Sequence, residues 1–137
     1  MKRDLDRFVA AQEKSYQTAL KEIKNGKKQS HWMWYIFPQI KGLGISPTAV
    51  YYAIQDRKEA EEYLVHPLLG QRLQEACEAL LALKSCDAME IFGEPDHRKL
   101  RSSMTLFYLA SGDEIFQKVL GKFFDGALDP LTISLLQ

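Results

Sequence analysis

The chain is poor in the residues that build metal centres and disulfide frameworks. It has two cysteines, Cys77 and Cys86, and three histidines among 137 residues. The cysteines form no CxxC pair and share no zinc-type spacing with a histidine, so neither a secreted scaffold nor a zinc module is expected. Cys77 falls on the apolar side of a leucine-rich segment, where a small buried hydrophobe is the simplest role. No two histidines stand at i, i+4, the helical ligand spacing, and no metal or cofactor is expected.

Net charge is missing as well. Eighteen basic residues balance eighteen acidic ones, leaving no overall field to gather nucleic acid or an anionic membrane. No apolar run approaches the roughly twenty residues of a membrane span. The N-terminal MKRDLDRF lacks the hydrophobic stretch that follows the charges of a signal peptide. A cytoplasmic location is the default expectation, with no membrane partner and nucleic acid disfavoured; a monomer or weak homodimer is expected. A lysine group of Lys21, Lys24, Lys27, Lys28 and Lys41 is the one local exception, and no single-strand-binding motif accompanies it. Paired alternating runs and hairpin signals are also lacking.

What is present fits a globule. Apolar residues make up 46% and charged residues 26%, and a chain of this length forms one domain that buries about two-thirds of its unfolded surface. From Asp4, the positions Phe8, Ala11, Gln12, Ala19 and Ile23, with Tyr16 beside them, recur at helical spacing until Gly26. Four prolines follow capping or terminating residues: Ser46-Pro47, His66-Pro67, Glu94-Pro95 and Asp129-Pro130. Proline at a first helical position loses no hydrogen bond, so helices are expected to begin at each. Asp56 and Glu59 have the spacing of a capping box. Leu69, Leu73, Cys77, Leu80 and Leu81 trace a further amphipathic helix. Asp87 opens a short turn to Gly93. Leu100, Met104 and Phe107 trace another helix before Gly112, and Phe116, Val119, Leu120 and Phe123 one before Gly126. The expected fold is all-α, a single compact domain over residues 1–137 with about seven or eight helices.

The segment Ser30 to Ser46, SHWMWYIFPQIKGLGIS, concentrates both tryptophans with Tyr35, Phe37, Pro38 and two glycines. Large aromatics bury about 150–250 Å² each, so this cluster sits against the core or against a ligand. Ser30 is placed to cap a short helix that ends before Pro38, which biases Phe37 out of the helical region.

SHWMWYIFPQ with the following GLG-S, then EAEEYLVHPLLGQRL, then IFGEPDHRKLRSSMTLF, resemble the uncharacterised, mostly bacterial family numbered eighteen-ten among domains of unknown function. The resemblance spans nearly the whole chain, implies a compact helical fold and names no activity. Some members carry the label calpastatin, a protease inhibitor. Calpastatin is a disordered inhibitory chain, whereas this composition is that of a packed globule, so the label does not transfer.

Two constellations carry candidate chemistry. The first is Gln39, Lys41, Gly42, Gly44 and Ser46, leading into the helix at Pro47. A helix start offers free N–H groups and a partial positive charge, glycines admit a ligand to the backbone, and Lys41 adds a full charge. The spacing matches neither a P-loop nor GxGxxG, and a plain turn is the simpler alternative. The second is Asp96, Lys99 and Ser103 on one helical face, with Ser102 at its shoulder. A buried lysine can activate a serine, but the serine-first order of penicillin-binding enzymes is reversed here. An Asp–Lys pair beside closely packed serines is the structural alternative. His31 adjoins the aromatic cluster; His66, before Pro67, suits a helix start; His97 lies in a charged run. Arg72 either pairs with a carboxylate across a helix interface or clamps an anion in two-pronged fashion.

Together these residues describe an aromatic-walled pocket for an anionic, nucleotide-like or phosphate-bearing molecule. Trp32 or Trp34 would stack a flat group, and the glycine turn with Lys41, Lys99 and Ser103 would bind a phosphate between them. No motif names a reaction; hydrolysis or group transfer would suit such a pocket. The alternative is an interaction module whose aromatics form an exposed patch.

Overall fold

The structure, a computed structural model, describes residues 4–137. The first helix, α1 (Asp6–Lys24), lays Phe8, Gln12, Tyr16, Ala19 and Ile23 into the core as its periodicity predicts. Asp4 accepts from the Asp6 amide, while Leu5 is the capping position. The following short helix, α2 (Met33–Ile36), ends where Phe37 leaves the helical region before Pro38. Ser30 does not cap it. Its hydroxyl donates instead to Glu22 Oε2 at 2.6 Å, and the helix begins after Trp32 without a side-chain cap.

Proline and aspartate then set most of the boundaries. Helix α3 (Pro47–Tyr52) starts at its proline, with Ser46 Oγ accepting from the Ala49 amide. Asp56 caps α4 (Arg57–Val65) through the Glu59 amide. Helix α5 (Leu69–Ala82) begins two residues after Pro67, because His66 Nδ1 accepts from the Leu68 and Leu69 amides. Asp87 caps α6 (Ala88–Phe92), and Gly93 ends it. Pro95 stands just outside α7 (Asp96–Ser111). Asp113 caps α8 (Glu114–Phe124), and α9 (Pro130–Leu136) starts at its proline.

Among the described residues the fold is thus nine helices and no strand, with one isolated bridge between Ile40 and Ile54. The count exceeds seven or eight because the stretch expected as a short turn from Asp87 to Gly93 forms a helix of five residues, α6, on the Asp87 cap. Helix α7 is the centre, packed by α4, α6, α8 and α9. Six consecutive residues, Ser102 to Phe107, are all buried; a helix enclosed on every side shows little amphipathicity.

Most of the aromatic stretch is core. Trp32, Phe37 and Phe92 form a three-ring cluster with centroids 6.0–6.3 Å apart. Tyr63 links Phe8 to Phe107, each at 5.2 Å. Edge-on and tilted packing of this kind contributes about 0.5–1.5 kcal/mol per pair beyond area burial. Trp34 alone of the two tryptophans stays partly exposed.

Candidate functional site

The turn after α1 sets the geometry. Glu22, only 8% exposed, accepts from the Gln29 and Ser30 amides at 2.8 and 2.9 Å and from Trp32 Nε1 at 2.8 Å, as well as from Ser30 Oγ. Burial alone would raise its carboxyl, but these donors outweigh it and hold the group down from 4.5 to about 2. A carboxylate that satisfies four donors fixes the backbone leading into α2 and locks Trp32 inward. Residues 31 and 34 are left on the outer side.

Lys28, on the same turn, points toward α7. Its ammonium lies 2.9 Å from Asp96 Oδ2 and 5.3 Å from the centroid of the Trp32 ring. From the other side Lys99 reaches Asp96 Oδ1 at 3.3 Å and lies 5.3 Å from the centroid of Trp34. Glu94, just before α7, pairs with His97 and Arg98. Between α2 and the start of α7 these side chains enclose a cleft of about 310 Å³, lined by Lys28, His31, Met33, Trp34, Glu94, Pro95, Asp96 and Lys99. Around it three cations, Lys28, Lys99 and Arg98, face two carboxylates, Asp96 and Glu94. The first turn of α7 adds the positive end of a helix dipole.

The cleft unites four sequence-predicted residues, His31, Trp34, Asp96 and Lys99. The others lie elsewhere. Trp32 is 1% exposed and belongs to the core, so it is no stacking wall. Gln39 and Gly44 border a separate depression of about 10 Å³ that Trp34 also lines, with room for about one water. The glycine turn and the start of α7 thus line different depressions, with Trp34 common to both. The glycines answer packing needs. A Cβ on Gly44 would stand 2.5 Å from that of Ala49, and one on Gly42, at φ +108°, would press on Leu135. The Lys41 amide donates to Ile54 O at 2.8 Å, and its side chain is exposed. Ser46 is occupied as the cap of α3, a helix of six residues.

Among the described residues Arg72 pairs with no carboxylate, and it lies outside the Trp34 cleft. Its guanidinium stacks 4.7 Å over Tyr16 and reaches Gln12 Oε1 at 3.5 Å. Tyr16 in turn donates to Glu75, and burial followed by that hydrogen bond pushes its hydroxyl well up. Ser102 donates to Asp129 Oδ2 at 2.8 Å, and Thr132 donates to the same oxygen at 2.6 Å, tying α9 to α7. Ser103 is fully buried, and its Oγ has no hydrogen-bond partner. The Lys99 ammonium lies on Asp96 and Trp34 instead, so the pair is not arranged as a serine with its activating amine. Burial, followed by the Asp113 and Glu78 charges, drives the Cys77 thiol up and leaves it inert. Among the described residues no group of three acidic, histidine or cysteine side chains is arranged to hold a metal.

Sequence reasoning missed Glu22 and Glu94 and placed Lys28 only in a basic run. Glu22 carried a usable signal: it lies between Ala19 and Ile23 on the buried face of α1, where a carboxylate requires donors. The Lys28–Asp96 pair bridges positions with no local pattern.

Comparison with known proteins gives two positive findings. The family described as protein of unknown function (DUF1810) matches residues 2–136. A conserved hypothetical protein, Rv1873 from Mycobacterium tuberculosis, is 46% identical in its crystal structure, with a TM-score of 0.95 over 97% of this chain and 96% of that one. Among curated proteins nothing matches.

Proposed function

Since the chain belongs to the family of proteins of unknown function DUF1810, the cleft's own chemistry must carry any functional reading, and we propose that it binds a small anionic molecule bearing a flat ring, such as a nucleotide. The single observation behind this is Trp34: a partly exposed indole whose cleft also holds Lys28, Lys99 and His31. A volume of about 310 Å³ falls at the lower end of the range for small-molecule sites, which join an apolar wall to a few polar groups.

Lys99 is the mobile element of this reading. Its 3.3 Å contact with Asp96 is longer than the 2.9 Å pair of Lys28. A ligand phosphate draws the Lys99 ammonium off the indole, and the ring face so freed stacks the base. Lys28 and Asp96 stay paired and keep the wall in place.

Thermal unfolding with a panel of nucleotides and sugar phosphates tests the reading. Ligand at about a hundred times its dissociation constant stabilises the native state by about 2.7 kcal/mol. For a domain of this length that raises the melting temperature by roughly 5–10 °C. Lys99→Ala abolishes the shift, and a well-folded sample unmoved by every phosphate class refutes the proposal. The competing reading, an interaction module that docks on an aromatic patch, would have to use the half-buried Trp34 and Tyr35, since Trp32 is core. It becomes the better account in that event.

A further inference from the structure

Resting on that binding reading, we infer that the site is bipartite and takes a nucleoside diphosphate derivative of a sugar, laid across His31. His31 lines the cleft of Trp34 and also a second cleft of about 230 Å³, formed where α1 faces the turn into α2. The two halves have different chemistry. The Trp34 half has the indole and two carboxylates already paired with cations. The second half has hydroxyl groups from Ser15, Thr18, Ser30 and Tyr35 with the Lys14 ammonium, and no carboxylate.

Not all of those hydroxyls are equally available. Ser30 donates to Glu22, and Tyr35 donates to Ser15 Oγ at 2.9 Å. Lys14 and Thr18 reach the cleft from α1 without another side-chain partner among the described residues. Donors and acceptors of this kind, on a surface without acids, suit sugar hydroxyls. His31 lines both halves, with Lys14 in one and Lys99, the ammonium drawn off Asp96 by ligand, in the other. An ammonium in each half suits an anion between the two organic ends. A flat base, a central diphosphate and a hydroxyl-rich end are the three parts of a nucleoside diphosphate sugar.

Calorimetric titration of the full chain with UMP, AMP, glucose 1-phosphate, UDP-glucose and ADP-ribose tests the inference. One additional hydrogen bond to a charged group is worth about a tenfold change in affinity. UDP-glucose or ADP-ribose is therefore expected to bind at least about tenfold tighter than the matching monophosphate. Thr18→Trp, which fills the second cleft from an exposed helical position, is expected to erase that margin, and Lys14→Glu to reduce it. Thermal unfolding of both variants checks that they remain folded. Equal affinity for monophosphates and diphosphate sugars overturns the bipartite site and leaves the single-cleft reading standing. So does a margin that survives both variants. Absence of binding by all five ligands overturns both.

Discussion

At the scale of single residues, the two tryptophans separate packing from recognition. Trp32 is enclosed by Phe37 and Phe92 and anchored through Nε1 to Glu22. Trp32→Ala is expected to cost about 3–5 kcal/mol in a denaturant titration. Trp34→Ala is expected to cost a small part of that, yet to remove the nucleotide-induced thermal shift. Equal losses of stability would place Trp34 in the core and remove the wall of the site. Glu22 adds a pH signature. Its carboxyl is held below its unfolded value, so its stabilisation is complete above about pH 4.5 and is lost as the pH falls toward about 2. Glu22→Gln is expected to cost about 1–3 kcal/mol near neutral pH, since an amide NH₂ replaces one acceptor oxygen among several donors. The same variant should flatten stability between those pH values, as measured by chemical denaturation across the range.

At the scale of elements, close approach decides which boundaries tolerate change. Helices α4 and α5 meet at Gly70, where an added Cβ would stand 2.1 Å from Leu64 O, a backbone atom unable to swing away. Gly70→Ala is expected to destabilise by about 1–3 kcal/mol, as overpacking does. Gly121, in the exposed part of α8, has nothing within 4 Å of that position. Gly121→Ala is expected to stabilise by up to about 1 kcal/mol through helix propensity alone. A melting-temperature comparison of the two alanine variants checks the contrast. Helix α5 also depends on α8 for its end: Lys122 Nζ donates to the carbonyls of Leu80, Leu81 and Leu83. A cation at that position also complements the negative end of the α5 dipole.

At the scale of the whole molecule, one buried ion pair ties three distant segments together. Arg7 on α1 meets Glu59 on α4 at 2.9 Å, with side chains 3% and 2% exposed. The same guanidinium donates to the carbonyls of Tyr51 and Ala53, at the end of α3. Removing one partner strands the other charge in the interior, so Glu59→Gln or Arg7→Met is expected to cost about 3–5 kcal/mol. Replacing both by apolar residues should recover much of that loss, because the desolvation of two charges offsets most of their attraction. A double-mutant cycle measured by denaturation checks both statements.

The amino-acid sequence by itself determined the helical class and most helix boundaries. Those depend on neighbours along the chain: Pro47 and Pro130 at first helical positions, Asp56 as a cap, and the spacing from Phe8 to Ile23 on one face. It also placed His31, Trp34, Asp96 and Lys99 among the candidate ligand contacts, from their residue types and the local crowding of aromatic rings. Only the tertiary structure decided that these four share a cleft, and that Trp32 and Ser103 are buried away from solvent. The glycine turn lines a different depression, because Gly44 packs on Ala49 and Gly42 beneath Leu135. Periodicity separates a buried helical face from an exposed one, but an aromatic serves equally well as core or as wall. What distinguishes Trp34 from Trp32 is the Glu22 carboxylate that holds one indole inward, and the Lys28–Asp96 pair that joins positions 28 and 96 across the cleft beside the other.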